Sequence, residues 1–276
     1  MKLLDNISFD QYNDINFILN YISKNAIIGT EEVKPIEYFH CFWKGPLSDL
    51  HLMSLQSLLN THPNQQIILW TSNLFELNSS KTASKIKSLF KNNIQIIEID
   101  KNVFSNANAE ILYSRYSLLI SGNNQHTLAY ASDIIRFVVL QVYGGVWFDL
   151  DVLFLRNLNS IHLNQYVSQW GSDACGNAAI LRLEKNHNLI KTIIKAYDQP
   201  FYPTTTFNIE NDLDITIMPG PFFDILWTKS ELIPENLQFK TFDDFFKQEE
   251  LNLPKEIYAY HWHNRWSKQT PPFFKI

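Results

Sequence analysis

Two kinds of apolar pattern alternate along the first third of the chain. Apolar residues recur at the period of an amphipathic helix in residues 8–24, 50–59 and 80–91. Short and mostly apolar runs that end at turn residues, the pattern of buried strands, occupy residues 36–43, 66–71 and 94–99. Helices that alternate with buried strands predict a parallel sheet with helices on its faces.

The rest of the chain continues this alternation. Helical patterns are found in residues 111–119, 127–143 and 189–196, and strand patterns in residues 146–154, 165–170, 178–183 and 258–263. Gly144 and Gly145 should end the longest helix, because glycine readily takes the left-handed conformation of a helix C-terminus. We therefore predict an α/β fold with a mixed, mostly parallel sheet, in which a helical extension at residues 1–35 precedes one domain at residues 36–276.

Composition and charge exclude several classes of protein. The 276 residues are 45% hydrophobic, which is enough for a large core, and the net charge of −5 argues against tight binding to duplex DNA. Two cysteines are too few for a disulfide scaffold or a four-cysteine zinc site. Since no signal peptide or membrane-spanning run is recognisable, we expect a soluble, cytoplasmic protein, with peripheral membrane contact left open.

Two acids interrupt the apolar strand predicted at residues 146–154. Asp149 and Asp151 alternate with Leu150, so an extended chain would place both carboxylates on one face. Two adjacent negative charges are costly there unless a cation neutralises them, and a hard divalent ion is the natural partner of carboxylate oxygens. Taken alone, however, such a pattern is more often a solvated strand end.

A second pair of charges lies on the helix before these acids. Asp133 and Arg136 are spaced so that they share a helix face and can meet one ligand. The alternative is a surface ion pair without function. The apolar residues around the pair predict a largely buried helix, which disfavours that alternative.

The two pairs and their surroundings resemble a known family. Ser132, Asp133 and Arg136, followed by the segment 143–151 (Tyr-Gly-Gly-Val-Trp-Phe-Asp-Leu-Asp), are similar to the signature of DXD-containing sugar transferases. That family comprises retaining, nucleotide-sugar-dependent enzymes of the α-1,4-galactosyltransferase and α-1,6-mannosyltransferase types and, more distantly, the clostridial glucosylating toxins. The resemblance implies the GT-A fold, a Rossmann-like nucleotide-binding sheet flanked by helices in a single domain with a C-terminal closing segment.

Four further segments extend the resemblance over residues 36–268. They are a first strand with a tryptophan, an asparagine-containing strand, a Gly-Pro turn and a closing segment, at residues 39–45, 176–180, 218–221 and 261–268. The closing segment departs from the family pattern at His263, where many relatives have another residue.

The resemblance also implies a divalent metal and its ligands. Asp151 would bind Mn²⁺ or Mg²⁺ directly, and Asp149 would reach donor hydroxyls or contact the ion through water. His261 and His263 would close over the metal or the diphosphate. The metal site implied is therefore Asp149, Asp151, His261 and His263.

A donor site is implied by the same resemblance. Trp43 would stack on the nucleotide base, and Trp147 would face the leaving phosphate with its N–H. Asp133 and Arg136 would hold the donor sugar and its phosphate. The catalytic residues implied are Asp133, Arg136 and Asp149. The donor-binding residues implied are Phe42, Trp43, Tyr130, Ser132, Asp133, Arg136, Trp147, Asp149, Leu150 and Trp266.

The implied reaction transfers a hexose from a nucleotide sugar to a hydroxyl of a glycan, a glycolipid or a protein, with the α configuration retained. A UDP-hexose is favoured over GDP-mannose, and no nucleic-acid partner is expected. Because human-type relatives carry an N-terminal membrane anchor that is not recognisable here, a bacterial or viral source is favoured, with a secreted effector as an alternative.

Two other functions stay open on the sequence. The run from Phe148 to Val152 also fits the strand loop of HAD-type aspartyl-phosphate phosphatases, in which Asp149 would be the nucleophile. In such an enzyme Asp133 and Arg136 would have no role, and the strand would come first in its sheet. An inactive carbohydrate-binding protein would keep the aromatic residues but should have lost the acids.

Overall fold

The computed structural model describes residues 3–4, 7–12, 14–25, 28–29, 31–122, 125–170, 175–195, 214–224 and 257–263. Its strands are β1 Tyr38–Phe42, β2 Gln66–Thr71, β3 Ile94–Glu98, β4 Gly145–Phe148, β5 Val152–Phe154, β6 Tyr166–Gln169, β7 Gly176–Leu183, β8 Thr216–Met218 and β9 Ala259–His261. Its α-helices are α1 Phe9–Tyr12, α2 Ile15–Lys24, α3 Asp49–Thr61, α4 Leu74–Asn78, α5 Lys81–Leu89, α6 Lys101–Asn106, α7 Glu110–Ser121, α8 Gln125–Tyr143 and α9 Leu189–Lys195.

The main sheet confirms the predicted mixed, mostly parallel arrangement. In the described residues it has seven strands in the order β3-β2-β1-β4-β7-β6-β8. The pairs β1–β2, β2–β3, β1–β4 and β6–β8 are parallel, and β7 runs antiparallel to both of its neighbours. The C-terminal ends of β1, β2 and β4 therefore lie along one edge of the sheet, which is where α/β folds place their ligands.

Two glycines connect the longest helix to the central strand β4. As predicted, α8 ends at Tyr143, directly before Gly144 and Gly145. Both glycines have left-handed backbone angles, with φ of +67° and +98°. A Cβ atom on Gly145 would collide with the carbonyl oxygen of Tyr38 in the neighbouring strand β1. Only glycine therefore lets the chain leave the helix and enter the sheet beside β1.

The prediction of one continuous strand over residues 146–154 is wrong. Strand β4 ends at Phe148, and β5 begins at Val152, so Asp149, Leu150 and Asp151 lie in a turn. The Val152 N–H closes this turn on the Asp149 carbonyl at 3.1 Å. The physical reason is that β4 pairs within the main sheet, whereas β5 pairs with β9 in a separate two-stranded sheet. The chain must change direction between the two sheets.

Strand β5, which follows the acidic turn, is held on both of its edges. One edge pairs with β9. On the other side, the Ser54 hydroxyl of α3 donates to the Val152 carbonyl at 2.6 Å, and the Phe154 N–H donates to the Ser57 hydroxyl at 2.9 Å. Because helix α3 satisfies backbone groups that would otherwise be unpaired, the acidic turn has a rigid base.

The N-terminal segment packs on the same core as the sheet. The single helix predicted at residues 8–24 is two helices, because the Asp14 carboxylate accepts the N–H groups of Asn16 and Phe17 and starts α2 there. Ile18 and Ile28 are fully buried in the core cluster that also contains the strand residues. A domain boundary at residue 35 stays a prediction. No helix in the described ranges is both long and apolar enough to cross a membrane.

Two histidines of the core are held neutral by burial. The Trp70 indole N–H donates to His40 Nδ1 at 3.2 Å, and the Leu158 N–H donates to His62 Nε2 at 2.9 Å. Burial lowers the pKa of each histidine to about 4, although a backbone carbonyl near each ring opposes the shift. Protonation of either ring would place the added proton on the nitrogen that accepts this hydrogen bond, and the hydrogen bond would be lost.

We expect the free energy of unfolding to fall when the pH is lowered from about 7 to about 5, since the unfolded histidines titrate near their ordinary pKa of about 6.5. Below that pH the unfolded state binds protons that the folded state excludes. Each histidine should thus contribute a loss of ~1–2 kcal/mol at about pH 5.

Urea unfolding at several pH values measures this loss. His40→Phe, which keeps the ring but cannot bind a proton, is the matched variant and should show a smaller pH dependence than the wild type. An identical pH dependence in both proteins would contradict the assignment to His40.

Candidate active site

Charged side chains from three separate elements meet at the C-terminal edge of the main sheet. Helix α8 supplies Asp133 and Arg136, the turn after β4 supplies Asp149 and Asp151, and strand β9 supplies His261. The sequence predicted all five as site residues. The structure thus brings these five predictions together in one place.

Arg136 lies between two carboxylates. Its Nη2 atom is 3.1 Å from Asp133 Oδ1 and 3.1 Å from Asp149 Oδ1. The guanidinium also lies 5.3 Å from the centre of the Trp147 ring. Asp133 and Arg136 are only 8% and 4% exposed, so they are not the surface ion pair that the alternative interpretation required.

The Asp149 carboxylate is fixed through one of its two oxygens. The Trp147 indole N–H donates to Oδ1 at 2.8 Å, and Arg136 donates to the same atom. Within the described part of the chain, both donors approach Oδ1. The arrangement therefore orients the carboxylate and leaves Oδ2 as the atom that can meet a ligand.

The site holds more negative than positive charge. Burial raises the pKa of Asp133 to about 7, with Arg136 opposing the shift and Asp149 adding to it. Burial also raises the pKa of Asp149, which Arg136 opposes and Asp151 reinforces. Asp133 and Asp149 thus share one guanidinium, Asp151 adds its charge next to Asp149, and a bound cation would relieve the repulsion among the three carboxylates.

Three side chains could provide that cation with ligands. One donor atom each from Asp149, Asp151 and His261 lies within 4.8 Å of the others, and His261 Nε2 is 3.3 Å from Asp151 Oδ1. Two carboxylate oxygens and one imidazole nitrogen fit a divalent ion such as Mn²⁺ or Mg²⁺. The residues present therefore match the chemistry that the sequence predicted.

His261 also contacts an acid that the sequence analysis did not identify. Asp224, which is 3% exposed, lies 3.5 Å from His261 Nδ1 and 2.6 Å from His263 Nε2. Burial alone would lower the pKa of His261, but Asp151 and Asp224 outweigh it and raise the pKa to about 10. Although burial opposes the shift, His263 and His261 hold the pKa of Asp224 below its ordinary value.

A sequence signal for Asp224 did exist. It is the first acid after the Gly-Pro turn, and it directly follows Phe222 and Phe223. A carboxylate in such an apolar setting needs a buried partner. The structure groups His263 with Asp224 and His261, whereas Asp149 and Asp151 form their cluster with His261 alone.

The predicted base-binding residues lie at the end of β1. Phe42 is buried, and Trp43 is half-buried with its ring centre 3.9 Å from that of His51. The Trp43 indole N–H donates to the Pro46 carbonyl at 3.1 Å. These contacts fix the ring and leave part of its surface accessible.

The other predicted donor-binding residues differ in how far they are buried. Trp147 is fully buried and uses its N–H for Asp149, and Leu150 is buried within the acidic turn. Tyr130 and Ser132 are half-buried on α8. Trp266 lies outside the described residues.

A family model matches the middle part of this chain. Residues 48–168 match a family model described as the glycosyltransferase sugar-binding region containing the DXD motif. The matched segment includes Asp133, Arg136, Asp149 and Asp151 but not His261 or Asp224. A search among curated proteins gives no match.

One solved structure supports the fold. The PaToxG glycosyltransferase aligns at 20% identity with a TM-score of 0.50, over 72% of this chain and 74% of that one. The UDP-bound glycosyltransferase domain of the YGT toxin aligns at 16% identity and a TM-score of 0.42, over 59% and 62% of the two chains. The glycosyltransferase GlyE of Streptococcus pneumoniae TIGR4 aligns at 12% identity and a TM-score of 0.43, over 84% of this chain and 55% of that one. The similarity to PaToxG agrees with the predicted GT-A fold, and the family match above bears out the predicted enzyme class, glycosyltransferase.

We expect Arg136→Met to destabilise the protein by ~3 kcal/mol, because it leaves the buried Asp133 and the partly exposed Asp149 without their cation. In that background Asp133→Asn should cost less than it does in the wild type, since it removes one of the two stranded charges. A double-mutant cycle in urea measures the coupling, which should exceed ~1 kcal/mol.

The exposed pair of Lys85 and Asp49, whose charged atoms are 3.3 Å apart, provides the matched control. Its cycle should show no measurable coupling, because solvent screens the two charges. If the cycle for Arg136 and Asp133 also showed no coupling, the interaction between the two side chains would not stabilise the fold.

Proposed function

We propose that this DXD-type glycosyltransferase transfers a hexose from a nucleotide sugar to an acceptor hydroxyl in a metal-dependent reaction that retains the α configuration. The observation that carries the proposal is the excess of carboxylates at the C-terminal edge of the sheet, arranged around Arg136 on one side and His261 on the other. Such an arrangement suits a substrate that brings a diphosphate and a divalent cation.

Asp149, Asp151 and His261 would hold the ion, which is Mn²⁺ or Mg²⁺ in this proposal. When bound, the ion supplies positive charge that stabilises the departing diphosphate. The rest of the site is built so that these ligands need little rearrangement. Trp147 and Arg136 already orient Asp149, and the turn that carries Asp151 rests on β5.

Asp133 and Arg136 would position the donor sugar. Arg136 uses Nη2 for its two carboxylates, whereas its buried Nε has no hydrogen-bond partner in the described part of the chain. A buried N–H without a partner is costly, so an oxygen of the donor is a fitting acceptor for it. Asp133 would in turn accept hydrogen bonds from sugar hydroxyls, and Asp149 would contribute its remaining oxygen.

The aromatic residues at the end of β1 would receive the base. Trp43 would stack on it, with Phe42 beneath the pocket, and Tyr130, Ser132 and Leu150 would complete the donor site. Because the Trp147 N–H already binds Asp149, we propose that this indole acts on the leaving group through the carboxylate it orients. His263 and Trp266 belong to the closing segment of the proposal.

The choice of donor, acceptor and mechanism follows from the resemblance of the sequence to the DXD-containing sugar transferases. A UDP-hexose is favoured over GDP-mannose, and the acceptor is a glycan, a glycolipid or a protein. The leaving phosphate would act as the base in a front-face displacement, which is the mechanism that the resemblance implies. A cytoplasmic location and a bacterial or viral source stay predictions.

The two alternative functions are disfavoured. In a phosphatase of that type the strand that carries the nucleophile comes first in its sheet, but in the described residues three strands precede β4, and Asp133 and Arg136 would have no role. An inactive carbohydrate-binding protein has no need for carboxylates that are costly to bury.

We expect the protein to release free hexose from a nucleotide sugar in the presence of Mn²⁺, and Asp151→Asn to slow this release by about two orders of magnitude, or about 3 kcal/mol. The asparagine is nearly isosteric but has lost the charge that holds the ion. Chromatography of the released sugar measures the rate. Asp49→Asn, on an exposed acid of α3, is the control. Full activity of the wild type in excess chelator would contradict metal dependence.

We expect Trp43→Ala to weaken UDP binding by ~1–3 kcal/mol, the usual contribution of one aromatic ring stacked on a base. Isothermal titration calorimetry with UDP measures the affinity, and circular dichroism verifies that the variant is folded. Phe75→Ala removes an aromatic ring that is 88% exposed on α4 and should leave the affinity unchanged. Equal affinities for both variants would rule out the stacking role.

A further inference from the structure

We propose that Asp224 is a positioning residue of the metal site, which it serves by fixing the ring and the proton of His261. The proposal rests on the proposed metal-dependent function. Asp224 Oδ2 lies 3.5 Å from His261 Nδ1, and the opposite nitrogen of that ring, Nε2, lies 3.3 Å from Asp151 Oδ1. His261 is thus held between one carboxylate on each side.

One nitrogen of an imidazole cannot bind a metal and carry a proton at the same time. A neutral ring carries one proton, and the nitrogen without it has the lone pair that binds a metal. A carboxylate next to Nδ1 keeps the proton on that nitrogen, which leaves Nε2 as the ligand facing Asp151. Carboxylates that act in this way raise the metal affinity of histidine sites.

His263 holds Asp224 in place. Its Nε2 atom lies 2.6 Å from Asp224 Oδ2, a short hydrogen-bond distance, and its ring centre is 3.7 Å from that of His261 with 31° between the planes. The backbone of His263 is left-handed, with φ of +50°, which few residues other than glycine adopt. This conformation turns the chain after β9 so that the second ring covers the first.

Burial makes this arrangement sensitive to substitution. Asp224, His261 and His263 are 3%, 6% and 8% exposed. In such surroundings water cannot replace a lost partner, and without Asp224 no carboxylate holds the proton of His261 on Nδ1. Asp224 would therefore act on the ion through His261.

A different use of these residues is a second metal site, since donor atoms of Asp224, His261 and His263 also lie within 4.8 Å of one another. The 2.6 Å separation of Asp224 and His263 favours a hydrogen bond, because two cis ligands of one octahedral ion at about 2.1 Å lie about 3 Å apart. This second site is one of the outcomes of the test.

The test is a titration with Mn²⁺ alone, followed by electron paramagnetic resonance of the free ion. The wild type should bind one ion per chain. Asp224→Asn should bind with the same stoichiometry but ~10–100-fold more weakly, and Asp49→Asn should match the wild type. His263→Phe, which keeps a ring over His261 but loses the hydrogen bond, should weaken binding by a smaller factor. It also provides the measurement if Asp224→Asn does not fold.

Several results would overturn the proposal. A folded Asp224→Asn protein with wild-type Mn²⁺ affinity would remove the positioning role, while leaving the proposed metal-dependent transfer intact. An ion that persists in Asp149→Asn/Asp151→Asn but is lost in Asp224→Asn would mean that Asp224 is itself a ligand. A wild-type protein that binds no Mn²⁺ would overturn both the positioning role and the proposed metal dependence.

Discussion

The burial of Arg136 between two carboxylates is the interaction on which the rest of the site depends. A guanidinium that is 4% exposed is stable only if its charge is compensated, and Asp133 and Asp149 do so at 3.1 Å each. Asp133 belongs to the same helix as Arg136, whereas Asp149 comes from the turn after β4. The same contacts therefore tie helix α8 to the acidic turn and fix the direction of the Asp149 carboxylate.

The route of the chain brings these charges together. Gly145 allows β4 to lie directly against β1, and the change from the main sheet to the small β5–β9 sheet forces a turn at the acids. Because β5 pairs with β9, this turn also lies next to His261 on the last described strand. The acids therefore acquire a histidine partner from more than a hundred residues further along the chain.

Features of the fold and the site could be predicted from the sequence where they depend on residues close together in the chain. Local spacing predicts most of the helices and strands and the two charge pairs on α8 and in the acidic turn, because neighbours in sequence are also neighbours in space there. The roles of these residues, and the two histidines, are implied by the resemblance to a family. The turn at Leu150 could not be predicted in this way, since an apolar residue between two acids fits a strand equally well. Asp224 and its two histidines meet only through tertiary packing, which local patterns do not encode.

The part of the site that tertiary packing assembles, around His261, also balances the charge of the carboxylates. His261 lies between Asp151 and Asp224, and these two carboxylates raise its pKa and so favour the imidazolium form. It therefore compensates some of the negative charge that a divalent ion would otherwise neutralise. The carboxylates can thus remain close together in the folded chain without an ion, and in the proposed metal site an ion would take the place of the proton on Nε2. A site that is preorganised in this way would not need to fold around an ion.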